Sequence, residues 1–543
     1  EKAENPRPSV TKFRLLGYYR ALVRFDVIPN IASSAPTPWL VLTRSFKLSG
    51  AILGALALVG CVSMAPARET PAQVIEIPQE FEAASNSAEA ADYAPLNWWS
   101  AFEDPVLDGL VQRALKRNLD VVESAARLRQ VSAQARLSRA ALLPQANVSG
   151  NASDTSTPID GLAFGDLAGG SPITRIDNEA YTLNLGASYE LDLFGRNRDD
   201  FRAARQDAIA SAADFKTVQL SAAAETISAY FDYVDAARQI ALTERTIDAL
   251  RDRANRTDER FEGGLADSLE LYQIRQDLRS TEASLPQLRS GLVATKSRLA
   301  LLLGAYPGEL DEALSQPLRP RLVFEDVPPG LPIDLLSQRP DVAANYERLE
   351  AARLRIGARR ADRFPTFTLT PSIGTQAGDP GGAFDFANNW ASSLVAAITA
   401  PLFDGGRIKA NNAAARAQYD QQAAAYARSV ISAFGEVESA LVDYDEQRAR
   451  YALITAQLDE VRGSLDLQSR RFEAGTGSYL AYLDALRTVY AVEANLSGAA
   501  RAAALARLGV HRALGGDWTQ QAEPEPLDMR RAKSTDPDQG GAS

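Results

Sequence analysis

Arg260-Phe261-Glu262-Gly263-Gly264 and Arg471-Phe472-Glu473-Ala474-Gly475 are near copies, 211 residues apart in a chain of 543. Each closes one long helix-forming stretch and precedes another. Residues 198–262 hold no proline or glycine, and residues 408–473 hold no proline and only Gly435 and Gly463. Proline removes a helix donor and glycine costs backbone entropy, so their absence predicts unbroken helices. At ~1.5 Å per residue, about 65 residues reach on the order of 100 Å. An ordinary globular helix has three or four turns. Glycine after each stretch supplies the left-handed backbone with which a helix stops and the chain reverses. The two stretches therefore predict two very long helical hairpins with glycine tips.

The copy is wider than the tips. Leu193-Phe194 resembles Leu402-Phe403, and Arg196 stands 211 residues before Arg407. Glu225, Ser228, Ala229, Asp232 and Tyr233 recur as Glu436, Ser439, Ala440, Asp443 and Tyr444, and Leu303-Gly304 recurs as Leu514-Gly515. Upstream, Asp120-Val121 matches Asp341-Val342 and Pro144 matches Pro365, at a spacing of 221. The chain is thus a duplicated unit, residues 96–304 and 332–518. Each copy reads helix, strand, loop, strand, long helix, tip, long helix. The first has a strand pair at about 145–193 and a hairpin at about 196–304. The second has its strand pair at about 366–403 and its hairpin at about 407–515. A proline-rich connector, 305–331, joins them, and the polar tail 519–543 reads as disordered.

The strands carry their own signal. Tyr181, Leu183, Leu185, Ala187, Tyr189, Leu191 and Leu193 alternate with Thr182, Asn184, Gly186, Ser188, Glu190 and Asp192. A barrel strand in a membrane needs this pattern, apolar toward lipid and polar toward a wet lumen, over about 10 residues. A soluble half-buried strand alternates too but is usually shorter. Residues 145–153, 366–375 and 390–403 take the other strand places, and the loops 156–180 and 376–389 are long, as on the outer side of such barrels. Four strands cannot close a barrel, open edges are not tolerated in lipid, and the smallest bacterial barrels have about eight strands. Several chains must therefore contribute to one barrel. The expected class is α+β: an internally duplicated membrane protein whose four strands continue into a long helical barrel.

Composition narrows the function. A net charge of −11 disfavours nucleic acid as a partner, and a single Cys and a single His exclude a disulfide within the chain and a His/Cys metal cluster. His511 reads as a surface residue of the last helix. Charge-mixed stretches such as Arg251-Asp252-Arg253 read as solvated faces. An enzyme is the poorest reading. At the N-terminal side, Arg44 and Lys47 precede an apolar run, Leu48 to Val59, closed by Leu58-Val59-Gly60-Cys61. This has the form of a secretory signal over 44–60. Residues 1–43 read as upstream read-through or an unstructured extension, and 61–95 as an extended arm. Trp98 and Trp99 are read as packing residues rather than a ligand-stacking pair.

The signal ending in Cys61 resembles the bacterial lipoprotein signal, in which the Cys becomes a lipidated N-terminus; Val62, rather than Asp, resembles outer-membrane sorting. The alternative is an ordinary signal peptide with a buried Cys. The duplication, Leu193-Phe194-Gly195-Arg196, Leu402-Phe403-Asp404-Gly405-Gly406-Arg407 and the paired tips together resemble the outer-membrane factor family, the TolC-like proteins. Within it they resemble the NodT-type lipoproteins of resistance-nodulation-division (RND) pumps. The resemblance covers Asn97 to Trp518. It implies a homotrimer with a 12-stranded outer-membrane β-barrel and a periplasmic α-helical barrel. It implies as partners a periplasmic adaptor, an inner-membrane RND pump and outer-membrane lipid. It implies no cofactor beyond a covalent lipid on Cys61, in the outer membrane of a Gram-negative bacterium. Gly264, Leu265 and Ala266, with Gly475, Thr476 and Gly477, resemble the tip turns where adaptors dock. Asp484 matches a carboxylate that narrows the periplasmic end in relatives, while Ala481 and Gly477 stand where relatives carry acidic and basic residues. Asp484 is either such a ring carboxylate or an ordinary solvated helix residue. The expected function is an exit duct for small toxic solutes. Protein export by a type I system and a periplasmic helical adaptor or structural protein are the alternatives.

Overall fold

The computed structural model describes residues 63–70, 98–158, 175–315 and 339–516, with Val74, Ile75, Pro78, Phe81 and Leu322. The signal, Cys61, the extension 1–43, the tail 519–543 and most of the proline-rich connector lie outside these residues. Within the connector, Pro307–Leu310 forms a 3-10 turn followed by the helical turn Asp311–Leu314.

The first copy opens on α1 (Pro105–Arg117) and α2 (Leu119–Ala140), two helices where the apolar spacing predicts one. Asn118 makes the break. Its Oδ1 accepts from the N–H groups of Asp120 and Val121 at 2.9 and 3.1 Å, capping α2. Its Nδ2 donates to the Leu302 carbonyl at 3.0 Å, tying the corner to the far end of the hairpin. Strands β1 (Gln145–Pro158) and β2 (Arg175–Leu191) follow. Then come the 67-residue α3 (Arg196–Glu262) and the 35-residue α4 (Ser268–Leu302). The second copy repeats the order: α5 (Pro340–Ala361), β3 (Thr366–Ala377), β4 (Trp390–Thr399), α6 (Arg407–Glu473) and α7 (Tyr479–Ala513), again 67 and 35 residues in the hairpin. Each long helix packs its tip-side half on its hairpin partner and its strand-side half on the short helices α2 and α5.

The strands form one antiparallel meander in the order β1-β2-β3-β4, so the central pair, β2 with β3, joins the two copies. β1 and β2 extend beyond the stretches read from the alternation. β4 ends at Thr399, ahead of Pro401, whose missing N–H cannot serve a ladder, and Leu402 and Phe403 therefore fall outside it. Gly195 and Gly406, at φ 78° and 88°, turn each strand end into its long helix.

The densest packing lies at mid-height, where α1 and the ends of α4 and α7 meet α3. Trp99, Phe102, Leu107, Ile227, Tyr230, Leu299 and Leu508 share this core. Trp99 is thus a packing residue. Tyr230 donates to the buried Asp104. His511 corrects the surface reading: it is 3% exposed, near the end of α7. Burial pushes its imidazole down to about 4.

Candidate functional site

Three features point to function: one face of the sheet, the segment after Cys61 and the tips. The register fixes the first. Val148 pairs with Leu185 and Leu185 with Ile373; Tyr189 pairs with Leu369 and Leu369 with Ala396; Leu191 pairs with Phe367 and Phe367 with Ile398. Opposed residues share a face, so the apolar sets of all four strands join into one wall. The other face carries Ser149, Asn184, Thr370 and Ser372, with Ser372 and Ser393 sharing a hydrogen bond of 2.8 Å. The wall is open: Val148 is 70% and Leu394 73% exposed. An apolar wall of this extent suits lipid, and the outer edges of β1 and β4 have no strand partner among the described residues.

Residues 63–70 lie along α5 from the strand end downward. Ser63 Oγ donates to Asp199 Oδ2 at 2.7 Å, in the first turn of α3. Asp199 is fully buried, and that burial pushes its carboxyl up against the Ser63 and Arg202 hydrogen bonds. Gly357 leaves the room: a Cβ there would stand 2.5 Å from Asp199 Oδ2 and 2.6 Å from Ala65 N. Arg360 donates to the Met64 carbonyl at 3.1 Å and Arg353 to that of Pro66 at 2.6 Å. Arg68 pairs with Glu350 at 3.1 Å, and Tyr346 donates to the Glu69 carbonyl at 3.0 Å. The described chain thus begins two residues after Cys61, beside the junction of β2 and α3.

At the tips, Gly264 and Gly475 adopt φ 71° and 72°, as the repeat predicts. The Leu265 N–H donates to the Arg260 carbonyl at 2.7 Å, and those of Thr476 and Gly477 to the Arg471 carbonyl at 2.9 Å. Gly477 replaces Ala266 because its turn is tighter: a Cβ would lie 2.9 Å from that of Arg471. Leu265, Leu269, Tyr272 and Leu480 are exposed around this end. Asp484 is exposed on α7, with its carbonyl accepting from Thr488 Oγ1 at 2.8 Å.

The tips hold a contact that sequence reading missed. Arg253 of α3, read as part of a solvated face, stands 4.2 Å from the Tyr482 ring centroid and 5.2 Å from that of Phe472. Arg260 stands 5.4 Å from Phe472. Arg487 of α7 pairs with Asp277 of α4, Nε to Oδ2 3.0 Å. Beneath them Ile247, Leu250, Ile274, Leu483 and Leu486 form a shared core. Copy one and copy two are therefore bound to each other at the tips by cation–π and ionic contacts. The recurring Phe261 and Phe472 were the available signal, yet only Phe472 meets the arginines.

A membrane-facing sheet set on a long helical barrel, with reversing tips at the far end, defines an outer-membrane duct. The family model for outer membrane efflux proteins matches residues 110–305 and 331–516, one match for each copy. The chain belongs to that family: it is an outer-membrane efflux channel extending into the periplasm, and not an enzyme. OprJ, an outer membrane protein of Pseudomonas aeruginosa, is 33% identical over 476 residues, 87% of this chain and 96% of that protein. The cation efflux system protein CusC of Escherichia coli is 30% identical over 468 residues, 86% of this chain and 98% of that one. The solved structure of the outer-membrane channel OprN superposes with a TM-score of 0.75 at 28% identity, covering 84% of this chain and 99% of that one.

Proposed function

We propose that three copies of this chain form the exit duct of a tripartite efflux system for small toxic solutes. The observation that carries the reading is the sheet: one apolar face across four strands and two outer edges without a partner strand. In lipid each unpaired backbone group costs several kcal/mol, so the edges must close on other copies, and three copies supply twelve strands. The relatives' names, a cation efflux system among them, support export of small solutes. Cargo choice then belongs to the pump.

The periplasmic partner is an adaptor protein that docks on the tips, at Gly264, Leu265 and Ala266 and at Gly475, Thr476 and Gly477, with an RND pump below it. The exposed Leu265 and Leu480 support this reading, since apolar side chains at a helix tip suit a partner helix. Cys61 is the lipid-bearing N-terminus; the pinning of Ser63 beside the junction of β2 and α3 suits an anchor at the membrane boundary. Asp484 is the gate carboxylate: three copies would bring three such groups to the axis, where like charges disfavour one another. Adaptor binding opens the tips by its differential affinity for the open state.

The test is to express the chain with its own signal, extract the outer-membrane fraction in detergent and determine the mass by light scattering. A trimer is expected; a soluble periplasmic monomer would overturn the reading. Mass spectrometry of the N-terminal peptide then checks for lipid on Cys61. Conductance of Asp484→Ala in planar bilayers checks the gate, and a value equal to the parent's removes Asp484 from it.

A further inference from the structure

The loop between β3 and β4, residues 378–389, is closed at its base by the Gln376 N–H, which donates to the Asn389 carbonyl at 3.0 Å. Its own polar side chains hold its backbone. Asp379 Oδ1 accepts from the Gly382 N–H at 2.9 Å, and Asp385 Oδ1 from the N–H groups of Ala387 and Asn388 at 3.2 Å. Asn389 Nδ2 donates to the Gly382 carbonyl at 2.9 Å. These bonds surround a 3-10 turn, Gly382–Phe384, which lies back over β2 and β3 instead of standing off the sheet.

The register fixes the side on which it lies. Thr375 pairs with Leu183 of β2 and with Trp390 of β4, and Ala377 pairs with Tyr181, so all of them belong to the apolar wall. Thr375 is buried, and its Oγ1 donates to the carbonyl of the buried Ala383 in the turn. A Cβ on Gly382 would stand 2.7 Å from that of Ala377, so glycine is what lets the turn come this close to the wall. The turn therefore covers the outer end of the apolar wall, on the face opposite to that of Asn184 and Ser372.

What the turn leaves outside is apolar. Phe384 is 73% and Phe386 57% exposed, near Trp390 of the wall itself at 62%. From Phe367 to Thr375 the wall climbs ~27 Å along the strand at ~3.4 Å per residue. At a strand tilt of ~40° that is ~20 Å of height, against an apolar band of about 25 Å in such barrels. The turn thus sits at the outer edge of the band, where aromatic rings suit the boundary between acyl chains and headgroups. Another copy of the chain does not supply the cover. The edges that close on other copies are β1 and β4, while the turn lies on β2 and β3 in the middle of the sheet.

We infer that this loop is an outward flap, which seats Phe384 and Phe386 in the outer-leaflet acyl chains beside Trp390 and takes no part in covering the mouth of the duct. This rests on the reading of the apolar wall as the lipid face. A lid would have to fold onto the polar face, and the hydrogen bond from Thr375 holds the turn on the other one. The flap also gives the Thr375 hydroxyl, a polar group on the lipid side, a partner that lipid cannot offer.

Two experiments on the full-length membrane protein test this. In the first, a small fluorophore is attached to Phe384→Cys and, separately, to Phe386→Cys, with the parent that carries Cys61 alone as background. The labelled proteins are reconstituted in phosphatidylcholine vesicles brominated on the acyl chains. Brominated lipid should quench both labels as strongly as it quenches one at Leu394→Cys on the wall, and aqueous iodide should quench them less than one at Ser372→Cys on the polar face. Quenching of both loop labels by iodide alone, with Leu394→Cys still quenched by lipid, would overturn the flap and leave the lipid face intact. Loop labels reached by neither quencher would mean that protein covers them and would overturn it too. A Leu394→Cys label that brominated lipid does not reach would end both readings. In the second experiment, residues 378–388 are replaced by the two-residue turn Asn-Gly. Single-channel conductance in planar bilayers should equal that of the parent; a rise would place the loop over the mouth and overturn the inference.

Discussion

His511, the single histidine of the chain, is buried near the end of α7. The unfolded imidazole titrates near 6.5 and the buried one at about 4. The fold favours the neutral ring, so stability is complete above pH 6.5 and falls as pH drops from 6.5 toward 4. Over that interval the unfolded chain takes up a proton that the folded one refuses. The interval is worth roughly 3 kcal/mol per chain. We expect His511→Gln to flatten this part of the acid dependence, read as the difference between thermal midpoints at pH 7.5 and 4.5. Parallel acid slopes for variant and parent would place the dependence elsewhere. Gly357 gives a second residue-scale outcome. Gly357→Val puts atoms where Asp199 and Ala65 stand, so the 63–70 segment should detach and become cleavable by added protease, while the helices stay resistant. An unchanged cleavage pattern would show that the segment accommodates the side chain. Neither site was legible in the sequence. His511 follows Ala502 to Val510, a run in which only Arg507 is charged, so no polar face marks which side of the helix is inner. The Asp199–Ser63 contact joins residues 136 apart, with no local signal.

At the scale of elements the sequence was far more explicit. Two runs without proline predicted α3 and α6 to within two residues of their starts, because helix continuity depends on local backbone chemistry. Strand ends were less legible. Alternation continues through Leu193, but pairing stops at Leu191, and β1 runs to Pro158 through polar residues that give no apolar period. The strand faces lead to a direct comparison. Leu185 belongs to the apolar wall and its neighbour Asn184 to the polar face. Arginine toward the bilayer midplane costs ~2–4 kcal/mol in a barrel. Leu185→Arg should therefore sharply reduce the yield of folded protein in the outer membrane, whereas Asn184→Arg should fold and alter conductance instead. Equal losses for both would mean that the two faces see the same medium.

For the whole molecule, the question is what holds the periplasmic end together. The repeat made the two tips visible in the sequence, but the contacts between them joined residues that are not repeat equivalents. Arg253 sits on the middle of one copy's hairpin and Tyr482 on the other copy's last helix, so neither periodicity nor motif paired them. The tie is modest in energy. An exposed ion pair such as Arg487–Asp277 contributes at most ~1 kcal/mol, and cation–π contacts at half-exposed rings about 0.5–2 kcal/mol. Weak ties suit an end that a docking partner has to rearrange, since a few kcal/mol of differential binding then moves the population by orders of magnitude. Removing one tie should shift the end only slightly, and removing both should shift it more. We expect Arg487→Ala to raise single-channel conductance in planar bilayers modestly, and Arg253→Ala with Arg487→Ala to raise it further. Asp277→Ala should match Arg487→Ala, because each breaks the same pair. If the double variant conducts like the parent, the copies are held together at the tip by the apolar core of Ile274, Leu483 and Leu486 alone, and the arginines are bystanders.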